Sequence, residues 1–533
     1  MSKECRNGGR VPLGPLFILL VLFTFLFAPA GYGQQGPPAN KVIVKGVKVT
    51  GSTVFSEEQL AAITSSYLGR AMNLADLQQI AAAVTEAYRQ HGYTLASAYL
   101  PEQEIQEGVV QIAVLEGRVG SLTISGNQYY STDFIKRGFT QVLDERVIKN
   151  SSLERSLLLL NENLDLNVKA TLEPGTETGT THILATAEDK RPLHASLDFN
   201  NYGFNTISRY RFGATVEAGN VVFDGATLTL NGIIGNIPDQ LLFGTGAYSV
   251  PISAYGTRLV VSGSGGKFNV GAELAAIGIE GQISTLDISV THPFIKTRFQ
   301  SLLAEFGFAA KNNRLTTLGT TTGDDHIRLL KLGLNYDRVD RRGRSFLSLY
   351  GFQGLGEALG GMSNNDPQAT RQGADDRFTK ATLQIGRIES LGGENLLILR
   401  AYGQVSTAPL VVIEQFLMGG PDSVRGYQLG EVFLDQGVTM TAEVRVPFFP
   451  SVIPSTQIAT FIDYGVGSLK DPAPGEQKHQ SLTGTGIAMY ATLPYYDTSV
   501  RFDLGFPLGP TPIGGTLFGD RSPTAYLQAI ARF

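Results

Sequence analysis

The chain has 533 residues, with 62 glycines and no tryptophan, and its formal net charge is −5 at pH 7. This length predicts two to four folding units, and the lack of a strongly basic block argues against a nucleic-acid-binding surface. Only 17% of the residues are charged, which is typical of neither a disordered chain nor a long helical bundle, and the single cysteine, Cys5, excludes an intrachain disulfide.

Residues 1–30 have the pattern of a secretory signal peptide. An apolar run, Val11 to Phe27, lies between three basic residues and the small-residue cleavage pattern Ala28-Pro29-Ala30. Cleavage after Gly33 and retention as a membrane anchor are alternatives, although the run is shorter than the roughly 20 residues that a span prefers. A short linker, 31–40, follows.

Residues 41–117 and 118–190 repeat one order of elements, which is strand, helix, helix, strand, strand. Capping residues at the helix starts and alternation in the strands carry this prediction. The first segment contains a strand Val42–Thr50, helices starting at Ser56 and Asn73, and strands Thr94–Leu100 and Gly108–Leu115. The second contains a strand Gly120–Ser125, helices starting at Ser131 and Ser151, and strands Val168–Leu172 and Thr181–Ala187. The sequence therefore predicts two similar α+β modules of roughly 75 residues each.

From residue 191 to the C-terminus, apolar and polar residues alternate in one segment after another, as in Leu193–Phe199 and Met440–Val446. About 16 such segments form one unbroken run, and the last of them, Thr524–Phe533, ends the chain. A soluble sandwich also alternates, but an even number of strands in one run is typical of a bacterial outer-membrane barrel, which closes without an edge. We therefore expect an all-β transmembrane barrel of about 16 antiparallel strands over residues 191–533.

A glycine-rich stretch, Gly419 to Tyr427, lies between two predicted strands and contains one arginine, Arg425. In the strand around Phe461, apolar residues share one face and Asp463 falls on the other. A carboxylate facing lipid at mid-depth is costly, so Asp463 is expected to face the lumen, and so is Glu443 on the preceding strand. A loop over residues 417–437 that folds inward would let Arg425 form a charge-assisted bond to Asp463, worth about 1.5–3 kcal/mol.

Several motifs together resemble those of two-partner secretion transporters of the outer membrane, the TpsB family of the POTRA-plus-barrel superfamily. Residues 99–101, 108–110 and 114–117 are similar to the first POTRA domain of that family. The run Val424-Arg425-Gly426-Tyr427 is similar to the tip of the family's sixth extracellular loop, and Phe461-Ile462-Asp463-Tyr464-Gly465 is similar to the strand motif that receives it.

This resemblance implies a Gram-negative-type outer-membrane transporter with periplasmic POTRA domains at 41–117 and 118–190. It would bind a large unfolded exoprotein with an N-terminal secretion domain and pass it through the barrel. The implied partners are that exoprotein, outer-membrane lipids and the barrel assembly machinery, with no nucleic acid. The residues expected to set the loop position are Val424, Arg425, Gly426, Tyr427, Glu443, Phe461, Asp463 and Gly465. Exposed sheet edges can add a strand of unfolded chain, and the candidate edge residues are Tyr99, Leu100, Val168 and Leu172.

The alternatives are an outer-membrane protein insertase, a passive porin and an enzyme in a barrel. No nucleophile elbow, phosphate-binding loop or metalloprotease motif is present, so we expect no enzymatic activity, cofactor, catalytic residue or metal. The linker is too short for a stable helix, so we expect no N-terminal plug helix. The segment from Gly354 to Asp376 predicts a long surface loop, and the basic cluster at Asp337–Arg344 predicts a turn between two strands.

Overall fold

A computed structural model describes residues 41–204, 206–363, 366–374, 376–449, 455–493, 496–509 and 522–533. The predicted signal peptide, its cleavage site, the linker and the expectation about a plug helix lie outside these residues. Within them, every helix is too short or too polar to cross a membrane.

The first module is a three-stranded sheet covered by two helices. Its elements are β1 (Val42–Ile43), β2 (Gly46–Thr50), α1 (Glu57–Thr64), β3 (Ala71–Met72), α2 (Leu74–Gln90), β4 (Ser97–Tyr99) and β5 (Val109–Leu115). The sheet order is β2-β5-β4, with β2 parallel and β4 antiparallel to β5. Capping boxes at Ser56 and Asn73 begin both helices.

The prediction of one strand over Val42–Thr50 is wrong, because the chain changes partner in the middle. β1 pairs with β3, whereas β2 pairs with β5. Between them the buried Val44 donates its N–H to Arg70 O at 3.0 Å, and Lys45 donates to Gly108 O at 2.8 Å. A local apolar pattern cannot show which neighbour a strand selects.

The second module repeats the sheet with an additional helix. Its elements are β6 (Arg118–Ser125), α3 (Thr132–Gly138), α4 (Thr140–Glu145), α5 (Asn150–Leu160), β7 (Leu166–Pro174) and β8 (Thr180–Asp189), and the sheet order is β6-β8-β7. Ser131 caps α3 as expected, but the predicted start at Ser151 is wrong. α5 begins at Asn150 after Lys149, which makes no side-chain cap. The Asn150 N–H donates to Gly92 O of the first module, so a contact between modules accompanies this helix start.

Sixteen strands close into an antiparallel barrel by pairing of the last strand with the first. They are β9 (Leu193–Asn200), β10 (Arg211–Gly219), β11 (Thr227–Gly235), β12 (Leu241–Pro251), β13 (Arg258–Asn269), β14 (Ile279–Lys296), β15 (Gln300–Thr317), β16 (Thr320–Val339), β17 (Gly343–Gly354), β18 (Thr379–Gly392), β19 (Asn395–Ser406), β22 (Gln436–Pro447), β23 (Gln457–Ser468), β24 (His479–Leu493), β25 (Thr498–Pro507) and β26 (Thr524–Arg532). Between β19 and β22 lies a separate hairpin, β20 (Phe416–Met418) and β21 (Val432–Leu434).

The second module is fixed to the short turns at one end of the barrel. Arg155 on α5 donates to the carbonyl oxygens of Tyr255 and Pro293, which lie at two different barrel hairpins. Glu162 pairs with Lys296 and Glu154 pairs with Arg298 at the same end. We call the opposite rim, which carries the loop between β19 and β22, the outer rim.

The segment between β17 and β18 is more than the surface loop that the sequence predicts. Met362, Ala369 and Ala374 are buried against Ile327 and Leu329 of β16. The backbone of this segment also continues the edge of β16, because the Met362 N–H donates to His326 O at 2.8 Å. Small apolar residues hidden among glycine and polar ones gave no periodic signal in the sequence.

Candidate functional site

The loop between β19 and β22, residues 407–435, folds into the barrel and is called loop 6 here. Its hairpin places the tip, residues 419–427, against the inner wall. The tip and hairpin share a small apolar core, formed by Phe416, Met418, Val424, Tyr427, Val432, Leu434, Leu469 and Leu482. Loop 6 therefore has its own packing inside the barrel and is held there along its whole length.

Arg425 at the tip binds three carboxylates on three strands. Its Nε and Nη2 donate to the two oxygens of Asp463 at 2.7 and 3.0 Å. Its Nη1 donates to Glu443 at 2.6 Å and to Asp503 at 3.2 Å. The Arg425 side chain is 1% exposed and the three carboxylates are 0% exposed. A buried guanidinium needs this complete pairing, because an unpaired charge in the interior costs several kcal/mol.

The register of the sheet brings the carboxylates together. Every second residue of a strand faces the same side, so Thr441 and Glu443 of β22 share one face. Asp463 of β23 lies directly opposite Thr441, and this places its carboxylate beside that of Glu443. Phe461 lies opposite Glu443, and its ring centroid is 3.3 Å from the Arg425 guanidinium carbon. The aromatic face thus covers the side of the cation that has no carboxylate.

Two further arginines bring the charge of the cluster close to balance. Arg445 donates to Glu443 at 2.6 Å, and Arg501 donates to Asp503 at 2.7 Å. Three arginines therefore meet three buried carboxylates. Arg501 also reaches back to the tip, donating to the carbonyl oxygen of Pro421 at 2.6 Å and to the carboxylate of Asp422 at 2.8 Å.

The backbone of the tip fits the wall without spare room. Gly426 has φ of +102°, a conformation that favours glycine. A Cβ added to Gly484 would lie 1.8 Å from Arg425 O, and one added to Gly465 would lie 2.5 Å from the Met418 sulfur. On the last strand, Thr524 Oγ1 donates to Gly426 O at 2.8 Å, and the Tyr526 hydroxyl donates to Tyr427 O.

The base of loop 6 has a second polar anchor near the outer rim. Buried Asp435 accepts bonds from Arg371 Nη1 at 2.5 Å, Leu410 N–H at 2.8 Å and Lys470 N–H at 2.6 Å. Arg371 belongs to the segment between β17 and β18, and its Nη2 donates to Lys470 O at 2.7 Å. Buried Glu414 pairs with Lys311 and Lys380 at 2.6 Å each. Arg371 Nη1 also donates to Leu410 O at 3.3 Å. We call Arg371 and its three contacts, with Leu410 O, Asp435 and Lys470 O, the outer strap.

The structure places Val424, Arg425, Gly426, Tyr427, Glu443, Phe461, Asp463 and Gly465 in one cluster. Sequence reasoning missed Asp503, Arg445, Arg501 and Arg371. The first three were visible as polar positions of alternating strands, since Arg445 and Arg501 stand two residues from an acid on the same face. Arg371 carried no signal, because its partners lie 64 and 99 residues along the chain.

The candidate strand-addition edges differ in how much of their backbone is already bonded. β4 is an edge strand shorter than expected, and Leu100 lies outside it. Its central residue, Ala98, donates its N–H to Thr85 Oγ1 of α2 at 2.8 Å. β7 is the longer edge strand, although Asn161 bonds both backbone groups of Val168. Because Asn161 occupies the Val168 backbone and the Val168 side chain is buried in the module core, an added strand could pair only with the part of β7 that follows Val168.

Comparison with known proteins gives two family matches. Residues 42–117 match the POTRA domain of ShlB type, and residues 179–491 match the family described as haemolysin secretion/activation protein ShlB/FhaC/HecB. The heme/hemopexin transporter protein HuxB of Haemophilus influenzae (strain ATCC 51907 / DSM 11121 / KW20 / Rd) is 26% identical over 77% of this chain and 73% of its own. The outer membrane transporter CdiB of Dickeya dadantii is 23% identical over 74% and 70%. The solved structure of CdiB from Escherichia coli has the same fold, with a TM-score of 0.77 at 18% identity over 96% and 93% of the two chains.

Proposed function

The chain belongs to the ShlB/FhaC/HecB family of haemolysin secretion/activation proteins, and we propose that loop 6 of this outer-membrane two-partner secretion transporter is a releasable gate for an exported polypeptide. Residues 41–117 and 118–190 act as two POTRA domains, and residues 191–533 act as the pore. An unfolded exoprotein binds first at a POTRA edge and then passes through the barrel lumen that loop 6 occupies.

The observation that carries this proposal is the position of Arg425. It lies at a loop tip, yet it is buried against carboxylates of β22, β23 and β25. Such a cluster defines one loop position because the charges are complementary only in that arrangement. Moving the tip aside separates the cation from all three acids together, so release is cooperative and the resting position is well defined.

The capture step is best supported at β7. The mixed sheets of these modules leave strand edges that can hydrogen-bond an extended chain. The edge-facing groups at Val168 are occupied by Asn161, whereas the strand continues to Pro174. At β4 the bond from Ala98 to Thr85 interrupts an edge of only three residues. We therefore place strand addition at Ala170–Leu172 ahead of Tyr99.

Secretion by an Arg425→Ala variant tests the proposal. Loss of the guanidinium leaves three buried acids without their central cation, so loop 6 loses the single defined position from which it is released as a unit. Without that conduction-competent starting position, we expect exoprotein secretion to fall at least tenfold. Folded barrel should still appear in the outer membrane, judged by heat-dependent gel mobility. Arg338→Ala, an exposed arginine near the periplasmic end of β16, is the matched control. Wild-type secretion by the Arg425 variant at normal abundance would contradict the proposal.

A further inference from the structure

The outward face of the barrel carries a basic patch near the outer rim, on strands β13 to β16. Paired positions run sideways across these strands as Lys267, Gln282, Arg314 and Asp324. The row below them is Gly265, Ser284, Asn312 and His326. These residues face outward, because the intervening Asn313, Asp325 and Ile327 are buried on the luminal side. Together they line one surface hollow.

The patch lies just above the apolar band that contacts lipid. Leu286 and Ile288 on β14, and Leu330 and Leu332 on β16, occupy the same outward face nearer the middle of the barrel and are exposed. A cation at this height meets the headgroups of the outer leaflet. In the outer halves of the strands that the structure describes, the outward lysine and arginine residues are Lys267 on β13, Arg314 on β15 and Arg328 on β16. Arg328 already donates to Leu359 O and to Asn312 Oδ1.

A trough of glycines runs down from the patch into the apolar band. Gly244 and Gly246 on β12 lie beside Gly265 and Gly263 on β13, with Gly232 on β11 next to Gly244. A Cβ added at Gly232 would meet nothing within 4 Å, and at Gly244 or Gly265 it would meet only one backbone oxygen at 3.7 or 3.9 Å. At Gly232, Gly244 and Gly265 neither internal packing nor a positive φ requires glycine, whereas a Cβ at Gly246 or Gly263 would approach a neighbouring atom to 3.3 Å. Their effect is to leave room on a surface that would otherwise carry bulky apolar side chains.

We propose that this surface is a binding site for a phosphate-bearing glycolipid of the outer leaflet, with its phosphate on Lys267 and Arg314 and an acyl chain in the glycine trough. The two cations are two strands apart, roughly 10 Å, a span that one headgroup bridges. Arginine binds phosphate through two parallel N–H donors. Gln282 lies between the two cations, and Asn312 and His326 beside Arg314 supply further polar groups. Lys267 makes no ion pair with any described residue.

Asp324 opposes this binding. It accepts a bond from Arg314 Nη2 at 2.9 Å and lies 3.4 Å from His326 Nε2. The Arg314 side chain is 55% exposed, so it can exchange this partner for a phosphate at the surface. The charge at Asp324 therefore sets how much of the arginine is available. The inference rests on the outer-membrane location and not on loop release, so normal secretion by the Arg425→Ala variant would leave it intact.

The test uses the full-length protein in detergent and the heat-dependent gel mobility of its barrel. The barrel is titrated with bisphosphorylated lipid A, with dephosphorylated lipid A and with inorganic phosphate. We expect lipid A to stabilise the barrel at lower concentration than the dephosphorylated lipid, and inorganic phosphate to have no effect. Lys267→Ala and Arg314→Ala should each weaken lipid A binding about fivefold, a ratio that corresponds to ~1 kcal/mol per cation.

Three further variants separate charge from shape. Asp324→Asn should bind lipid A more tightly than the wild type, a gain that misfolding cannot imitate. Gly265→Leu should weaken binding of both lipid forms, whereas Gly351→Leu, at an outward glycine on β17 that is equally open, should not. Arg338→Ala is the charge control. Equal stabilisation by both lipid forms, stabilisation by inorganic phosphate alone, or undiminished binding by the Lys267 and Arg314 variants would overturn the proposal.

Discussion

Asp463 accepts three hydrogen bonds from Arg425, two from the guanidinium and one from the backbone N–H at 3.0 Å. The backbone bond ties the carboxylate to the path of the tip as well as to its side chain. The acid therefore holds the position of the loop and the arginine neutralises the acid, so neither residue can be replaced without leaving the other buried and incompletely paired.

A double-mutant cycle measures this mutual dependence. Arg425→Ala and Asp463→Asn should each lower the free energy of barrel unfolding, the first by about 3–5 kcal/mol because it leaves the buried acids without their central cation. The double variant should lose less than the sum, with a coupling of about 1–3 kcal/mol. Urea unfolding followed by gel mobility gives the values, and simple additivity would show that the contact carries no specific energy.

Filling the wall glycine opposite the tip should displace the loop without altering any charge. A Cβ at Gly484 would lie 1.8 Å from the backbone oxygen of Arg425, so Gly484→Ala forces the tip or the strand to shift. Overpacking of this kind costs about 1–3 kcal/mol. We expect secretion by this variant to fall as it does for Arg425→Ala, with Gly351→Ala as control. Normal secretion would mean that the tip position does not matter.

Arg371 should hold the outer loops closed independently of the tip. It connects the segment between β17 and β18 with the base of loop 6 and with Lys470 O in the loop after β23. Arg371→Ala should increase protease cleavage of these loops on intact cells several-fold, since removing one partner of the strap leaves Asp435 buried without its cation. Arg371→Lys should be intermediate because one ammonium cannot reach all three loop contacts. Unchanged cleavage would mean that the outer strap does not help to hold loop 6 closed.

Acid should loosen the first POTRA domain through Glu116. Burial by itself raises the pKa of this carboxyl. Hydrogen-bond donors on Thr53, Tyr88 and Val54 lower the pKa by a larger amount, so the net value lies below the ordinary 4.5. The pKa of Glu116 is therefore lower in the folded chain than in the unfolded chain. Such a carboxylate stabilises the fold fully at pH values above its unfolded-state pKa, and this stabilisation is lost as the pH falls through its folded-state pKa. Hydrogen exchange of α2 in the full chain should therefore accelerate below about pH 4.5.

Glu116→Gln should remove that acid dependence while lowering protection at neutral pH, because an amide accepts fewer of these bonds than a carboxylate. Glu104→Gln, on an exposed loop of the same module, is the control. Exchange in the Glu116 variant that still accelerates in acid as in the wild type would assign the effect to another group.

Proline at Ala170 should block strand addition without unfolding the second module. The Val168 N–H points to the open edge, where it meets Asn161, so the N–H of Ala170 two residues on points the same way and is not needed by the ladder. We expect weaker binding of the exoprotein and an unchanged thermal midpoint, whereas Ala98→Pro, which removes the outward N–H of β4, should leave binding intact. The opposite result for the two variants would move the site to β4.

Much of the fold followed from local patterns. Period-two alternation indicated the barrel strands, capping residues indicated the helix starts at Ser56, Asn73 and Ser131, and the family comparison confirms the transporter and its POTRA modules. The predictions were wrong where contacts with residues far along the chain set the bounds of an element. Val42–Thr50 divides between two sheets, and α5 begins one residue before Ser151 and without a side-chain cap.

For the candidate site, side chains alternate between the two faces of a strand, and this alternation was enough to predict which face Asp463 occupies. The sequence also supplied an arginine in a glycine-rich loop that local folding did not require. The cation that Glu443 and Asp503 share, and the contacts by which Arg371 connects three loops, became visible only in the folded chain. Those contacts depend on strand register and on where a long loop comes to rest, and both are fixed by the sum of non-local packing that no window of sequence contains.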